Sequence, residues 1–80
     1  MNQKQALALV REVLTEIAPD ADFSEIPLDE DYRHTLELDS LDLLTLVERL
    51  SERTGCRIDE DDYPRLATLE GSAALLAERT

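Results

Sequence analysis

The sequence predicts an all-α fold: a small bundle of three main helices, with a short third helix before the last and a long loop after the first. Three observations lead there. Apolar residues recur at spacings of three and four in separate stretches of the chain. Leu, Ala, Glu and Arg dominate, whereas there are only 2 glycines and 4% aromatic residues, a balance that suits helices over strands. With 80 residues, the chain is expected to form a single domain over positions 1–80. A core that small contributes only about 3–5 kcal/mol net, which favours local helical wiring over a sheet.

The first helix is expected from Gln3 to Ala18. Ala6, Leu7, Val10, Val13, Leu14 and Ile17 form one apolar stripe, and Lys4, Arg11, Glu12 and Glu16 take the other faces. Leu9 lies off the stripe and is expected to be partly exposed. Pro19 ends the helix, because a residue preceding proline is pushed out of the α region.

Asp20 to Asp39 reads as a long, acidic connection without helical period. Loops of that length in small domains are usually functional or disordered. Phe23, Ile26, Leu28, Leu36 and Leu38 are the expected apolar anchors that pin it to the helices. A short helical turn near Asp29 to Arg33 is compatible with the pattern. An EF-hand is not, since His34 stands where that loop needs glycine and Ser40 where it needs a bidentate Glu.

The second helix is expected from Ser40 to about Arg53. Leu41, Leu44, Val47 and Leu50 keep a buried spacing, and Leu43 and Leu46 widen the stripe toward the exposed face. Asp42, Thr45, Glu48, Arg49 and Glu52 are the expected exposed side. Arg49 and Arg53 complement the helix dipole, and Gly55 supplies the left-handed C-terminal residue.

Ile58 is the one apolar anchor of the next bridge. Asp59 can cap a short third helix from Glu60 to Leu66, shortened by Pro64. Pro64 and Tyr63 also defeat a second EF-hand spacing there. Thr68 caps the last helix, Leu69 to about Arg79, whose inward stripe is Leu69, Ala73 and Leu76, helped by Ser72 and Leu75. Gly71 costs about 0.5–1 kcal/mol relative to Ala, which is understandable if another helix approaches closely.

Charge narrows the function. The chain has 19 acidic against 8 basic residues and a net charge of −11, which excludes nucleic-acid phosphates as a partner and disfavours anionic membranes. The charge suits basic surfaces of partner proteins, with salt-sensitive attraction. No apolar run is long enough for membrane insertion, and no signal-peptide pattern is present. The single cysteine, Cys56, cannot form an internal disulfide, so a reducing, cytoplasmic setting is expected. A monomer is the expected state.

The stretch with chemistry is Leu36-Glu-Leu-Asp-Ser-Leu-Asp42. Asp39 is an expected N-cap, and Asp42 occupies the second half of a capping box. Ser40 then opens the helix with its hydroxyl toward water. Spacing alone favours an ordinary polar helix start. Asp39-Ser40-Leu41-Asp42 followed by an amphipathic helix resembles the acyl carrier protein family, and the order of elements follows suit over essentially the whole chain. The resemblance implies a carrier without catalytic activity, with phosphopantetheine attached to Ser40 through a phosphodiester and Asp39, Leu41 and Asp42 around it. It implies as partners a phosphopantetheinyl transferase and acyl-ligase, ketosynthase or acyltransferase-type enzymes with basic docking surfaces. Asp42, Leu43, Leu46 and Glu48, with Ile58 and Tyr63 on the adjoining short helix, are the candidate docking face.

Two departures from that family pattern stand out. Glu37 replaces the usual glycine three residues before the serine. Thr45 and Ser51 stand where fatty-acid carriers are often acidic, with Arg49 and Arg53 nearby, so a mixed-charge face and a dedicated set of partners in a specialised pathway are expected. The alternatives are a carrier of aminoacyl or peptidyl groups and an acidic helical adaptor in which Ser40 is never modified. Autonomous catalysis lacks its parts: His34 is the only histidine, and no glycine-flanked nucleophile elbow or oxyanion hole accompanies Ser40. No metal is expected, because His34 and Cys56 have no partners at ligand spacing.

Overall fold

A computed structural model describes all residues, Met1 to Thr80, as five helical segments without a strand: α1 (Gln3–Ile17), α2 (Tyr32–Thr35), α3 (Ser40–Thr54), a 3₁₀ helix (Glu60–Ala67) and α4 (Leu69–Arg79). The all-α expectation holds. α1 packs on both α4 and α3, and the 3₁₀ helix packs on α4.

α1 starts with a capping box that the sequence reading overlooked. Asn2 Oδ1 accepts from the Gln5 amide at 2.8 Å, and Gln5 Oε1 accepts from the Asn2 amide at 3.0 Å. Ala6, Val10, Val13 and Leu14 are its fully buried face, and the helix ends at Ile17, just before the proline. α3 ends as expected, with Gly55 at φ 72° and its amide donating to the Ser51 carbonyl at 2.8 Å.

Of the expected loop anchors, Phe23, Ile26, Leu36 and Leu38 do pack on the core, and Leu28 does not. Phe23 is buried, but Leu28 is 42% exposed. The loop is tied there by its backbone instead, the Glu70 amide donating to the Leu28 carbonyl at 3.0 Å. The principal anchor is Tyr32, which is fully buried, with its hydroxyl 3.3 Å from Ser72 Oγ on α4. Ser72 Oγ donates onward to the Thr68 carbonyl at 2.8 Å, so both buried hydroxyls have partners. The helical turn lies at α2, later than the expected Asp29–Arg33, because Asp31 rather than an earlier acid caps it, accepting from the Arg33 and His34 amides.

The short third helix is 3₁₀ in character and reaches Ala67. Its acidic run is partly structural. Asp62 is buried, accepts from the Asp59 amide at 2.9 Å, and binds the Arg79 guanidinium through both oxygens. Gly71 fulfils its expectation of close approach: a Cβ there would lie 2.2 Å from the Arg65 carbonyl oxygen of the 3₁₀ helix.

Candidate functional site

The site is built by the first turn of α3. Asp39 has extended backbone, and its Oδ1 accepts from the Asp42 amide at 2.9 Å. Asp42 Oδ2 accepts in return from the Asp39 amide at 3.4 Å. This reciprocal cap fixes where the helix begins and leaves Ser40 as its first residue. Ser40 is exposed, and its hydroxyl has no hydrogen-bond partner within the protein.

The segment leading into Ser40 has an unusual backbone. Glu37 adopts φ 55°, the only non-glycine residue with positive φ. A Cβ in that region crowds the following carbonyl, at a cost of about 1–2 kcal/mol. The conformation reverses the chain between α2 and α3: the Glu37 amide donates to the His34 carbonyl at 3.3 Å, and the Leu38 amide to the Arg33 carbonyl at 2.9 Å.

Beside Ser40 lies an open depression of about 610 Å³, lined by Asp31, Arg33, His34, Glu37, Leu38, Asp39, Ser40 and Leu43. Arg33 faces Asp31 with Nε and Nη2 at 3.3 and 3.2 Å from its carboxylate. The hydrogen bonds from Arg33 hold the Asp31 carboxyl below its usual range. His34 is exposed and its imidazole is unpaired. No three His, Cys, Asp or Glu residues are grouped to hold a metal ion.

The phase of α3 differs from the sequence expectation. Leu46, Val47 and Leu50 are buried and Leu43 packs partly beside them, whereas Leu41 is 71% and Leu44 45% exposed. Leu46, expected on the docking face, is therefore sealed in the core and unable to meet a partner. Leu41, expected inside, stands in the open next to Ser40. The signal was available: Leu41, Thr45, Glu48 and Glu52 follow one another at helical spacing, so Leu41 lies on the polar stripe. Asp42 is half-buried, Glu48 is exposed, and Ile58 and Tyr63 are half-buried against the core.

The expected mixed charge of this face also needs correcting. Arg49 pairs with Glu16 of α1 at 2.9 Å, and Arg53 pairs with both Glu16 and Glu12. These arginines bridge α3 to α1 rather than offering free cations to a partner. Asp39, Asp42, Glu48 and Glu52 remain, so the face around Ser40 is acidic.

Residues 4–76 match the family model described as the phosphopantetheine attachment site. The chain belongs to the acyl carrier protein family. It is 30% identical over 82 residues to polyketide-8 synthase acyl carrier protein 2 of Streptomyces avermitilis, a match covering 99% of this chain and 94% of that one. It is 28% identical over 78 residues to the acyl carrier protein of Rubrobacter xylanophilus, covering 98% and 95%. The acyl carrier protein of Petrotoga mobilis is 25% identical over 79 residues. Family members hold phosphopantetheine covalently on a serine and are carriers rather than enzymes. No helix is long and apolar enough to cross a membrane.

Proposed function

We propose that Ser40 is the attachment serine and that the protein is a stand-alone carrier of acyl groups, presented as thioesters to partner enzymes. The observation that carries this reading is the free, exposed hydroxyl of Ser40 between two carboxylates that cap each other's amides. The other three serines fit less well. Ser72 is buried, Ser24 is bonded to Asp22, and Ser51 lies within α3.

The residues suit such a group. The α3 N-terminus favours a phosphodiester by about 0.3–1 kcal/mol. Asp39 and Asp42 oppose it by about 1 kcal/mol each at water-like dielectric. These contributions come close to cancelling, so the covalent bond, and not a tight anion site, retains the arm. The bound arm contributes the thiol that forms the thioester. The chain itself fixes the attachment point, keeps it in the open and surrounds it with negative charge.

For the docking face the proposal is Leu41 and Leu44 as apolar contacts, with Asp42, Leu43, Glu48, Ile58 and Tyr63 around them. Free acids and exposed leucines fit a phosphopantetheinyl transferase, and acyl-ligase, ketosynthase or acyltransferase-type partners, with basic rims around apolar pockets. A specialised pathway is favoured by the polyketide relative. A cytoplasmic monomer completes the reading.

Intact-protein mass after incubation with coenzyme A, magnesium and a broad-specificity transferase tests the assignment. One phosphopantetheine adduct, lost in Ser40→Ala, is expected. An unmodified chain would favour the adaptor reading. Conversion by general fatty-acid enzymes as efficient as by a dedicated ligase would count against the specialised pathway.

A further inference from the structure

α1 carries the two cations that the fold leaves free. Seven arginines and one lysine are the basic residues of the chain. Six of the arginines form ion pairs within the protein, and only Lys4 and Arg11 form none. These two stand seven residues apart, so two turns of helix, about 10.5 Å, bring them onto one stripe. Ala8 and Thr15 share that stripe, and both are exposed. It contains no acid. The acids of α1, Glu12 and Glu16, lie on its opposite flank, where Arg49 and Arg53 of α3 pair with them.

Arg11 is the better prepared of the two. Its Nε is buried without a hydrogen-bond partner, and it is the only nitrogen of that side chain so sealed. A desolvated donor with no acceptor is an unfavourable state. The positive charge is shared over the whole guanidinium, so a carboxylate meeting the outer nitrogens offsets it. The half-buried stem also fixes where those nitrogens stand, which removes part of the ordering cost of binding. Ala8, between the two cations, leaves room for close approach.

Charge divides the surface accordingly. α1, with the two α3 arginines that reach it, holds four cations and two acids, a net +2. Of the 19 acids and 8 bases in the chain, that leaves 17 and 4 elsewhere, a net −13. A broad anionic surface, whether nucleic acid or acidic membrane, is repelled by that remainder. A second copy brings the same −11 and is repelled as well. A local pair of carboxylates on a neutral or basic protein meets no such penalty.

We propose that the stripe of Lys4 and Arg11 is a second docking surface, for a partner-protein helix that presents two carboxylates two turns apart. Arg11 takes one carboxylate through its outer nitrogens and Lys4 takes the other. The stripe lies on the flank of α1 away from α3, so a partner held there leaves the first turn of α3 open. The surface goes beyond the attachment reading and does not depend on which serine is modified. Two exposed charge contacts are weak and salt-sensitive by themselves. Joined to a contact elsewhere on the same partner, they raise its local concentration beside the carrier.

The test titrates the isotope-labelled full chain with a designed helical peptide bearing two glutamates seven residues apart, at low and at physiological salt. Amide shifts are expected at Lys4, Ala8, Arg11 and Thr15, with a shift of the Arg11 side-chain Nε signal, all shrinking in salt. A peptide with glutamine at both positions should move none of them. The Lys4→Gln, Arg11→Gln protein should keep its circular dichroism and bind about tenfold more weakly, as for two exposed ion pairs. Lys4→Gln alone, at an exposed position, should weaken binding about threefold. Equal shifts from the glutamine peptide, or an affinity unchanged in these variants, would overturn the surface. Concentration-dependent broadening of the same signals without peptide would overturn it in favour of a second copy. Shifts produced by anionic phospholipid vesicles and not by the peptide would overturn it in favour of a membrane.

Discussion

Asp39 and Asp42 each accept the other's backbone amide across the first turn of α3, and Ser40 between them keeps an unengaged hydroxyl. Position, not activation, is what this arrangement supplies. The carboxylates satisfy amides that would otherwise be free at the helix start, and the serine oxygen is left for chemistry brought by another protein.

Asp39→Ala should lower stability by about 1 kcal/mol through loss of the cap, with local fraying of the first turn. Asp39→Asn should retain most of that stability, since the amide oxygen still accepts from the Asp42 amide. Urea unfolding gives the stability. The rate of phosphopantetheine transfer should fall further in the Ala variant than in the Asn variant, because Ser40 loses its fixed place.

Glu37→Gly should stabilise the protein by about 0.5–1 kcal/mol. Relief of the left-handed strain at φ 55° outweighs the extra freedom that glycine gives the unfolded chain. Thermal unfolding checks the sign; a lower melting temperature would mean that the Glu37 side chain stabilises the loop more than its backbone strains it.

Gly71→Ala should do the reverse of a routine helix substitution. The helix gains about 0.5–1 kcal/mol in propensity, but the new methyl would sit 2.2 Å from the Arg65 carbonyl oxygen and 3.0 Å from the capping Thr68 Oγ1. Forcing the 3₁₀ helix away from α4 should cost about 1–3 kcal/mol. The melting temperature should fall, with the loss larger than for Ala74→Gly on the same helix.

Two groups make opposite pH predictions. Hydrogen bonds from the Arg79 guanidinium, and the Asp59 amide, hold the Asp62 carboxyl below its ordinary 3.8. Its contribution is complete above the ordinary carboxylate range and is lost as pH falls through the lowered value. The stability gap between the native chain and Asp62→Asn should therefore close in acid. Burial pushes Tyr32 up to about 12. Its stabilising effect is present below the ordinary tyrosine value of 10 and is lost as pH rises through about 12, so Tyr32→Phe should flatten the alkaline limb. Melting temperatures across both ranges check the two signs.

What the sequence made legible was local. The cap at Asp39, the box with Asp42, the stop at Gly55 and the cap at Thr68 depend on neighbours within a few residues. The phase of α3 was harder, because six apolar residues between Leu41 and Leu50 cover more than half of its circumference. Only the polar stripe through Thr45, Glu48 and Glu52 distinguishes exposed Leu41 from buried Leu46. The roles of Tyr32, Arg49 and Arg53 depend on partners far along the chain, Ser72 and the acids of α1. A serine on the inward stripe of α4 was the one hint, since a buried hydroxyl needs a polar partner.

Fragmentation mass spectrometry of the enzymatically modified protein tests the central claim most directly. A single phosphopantetheine adduct on the peptide fragment that contains Ser40 is the result expected. An adduct on Ser24, Ser51 or Ser72, or none under conditions that modify a control carrier, would contradict it.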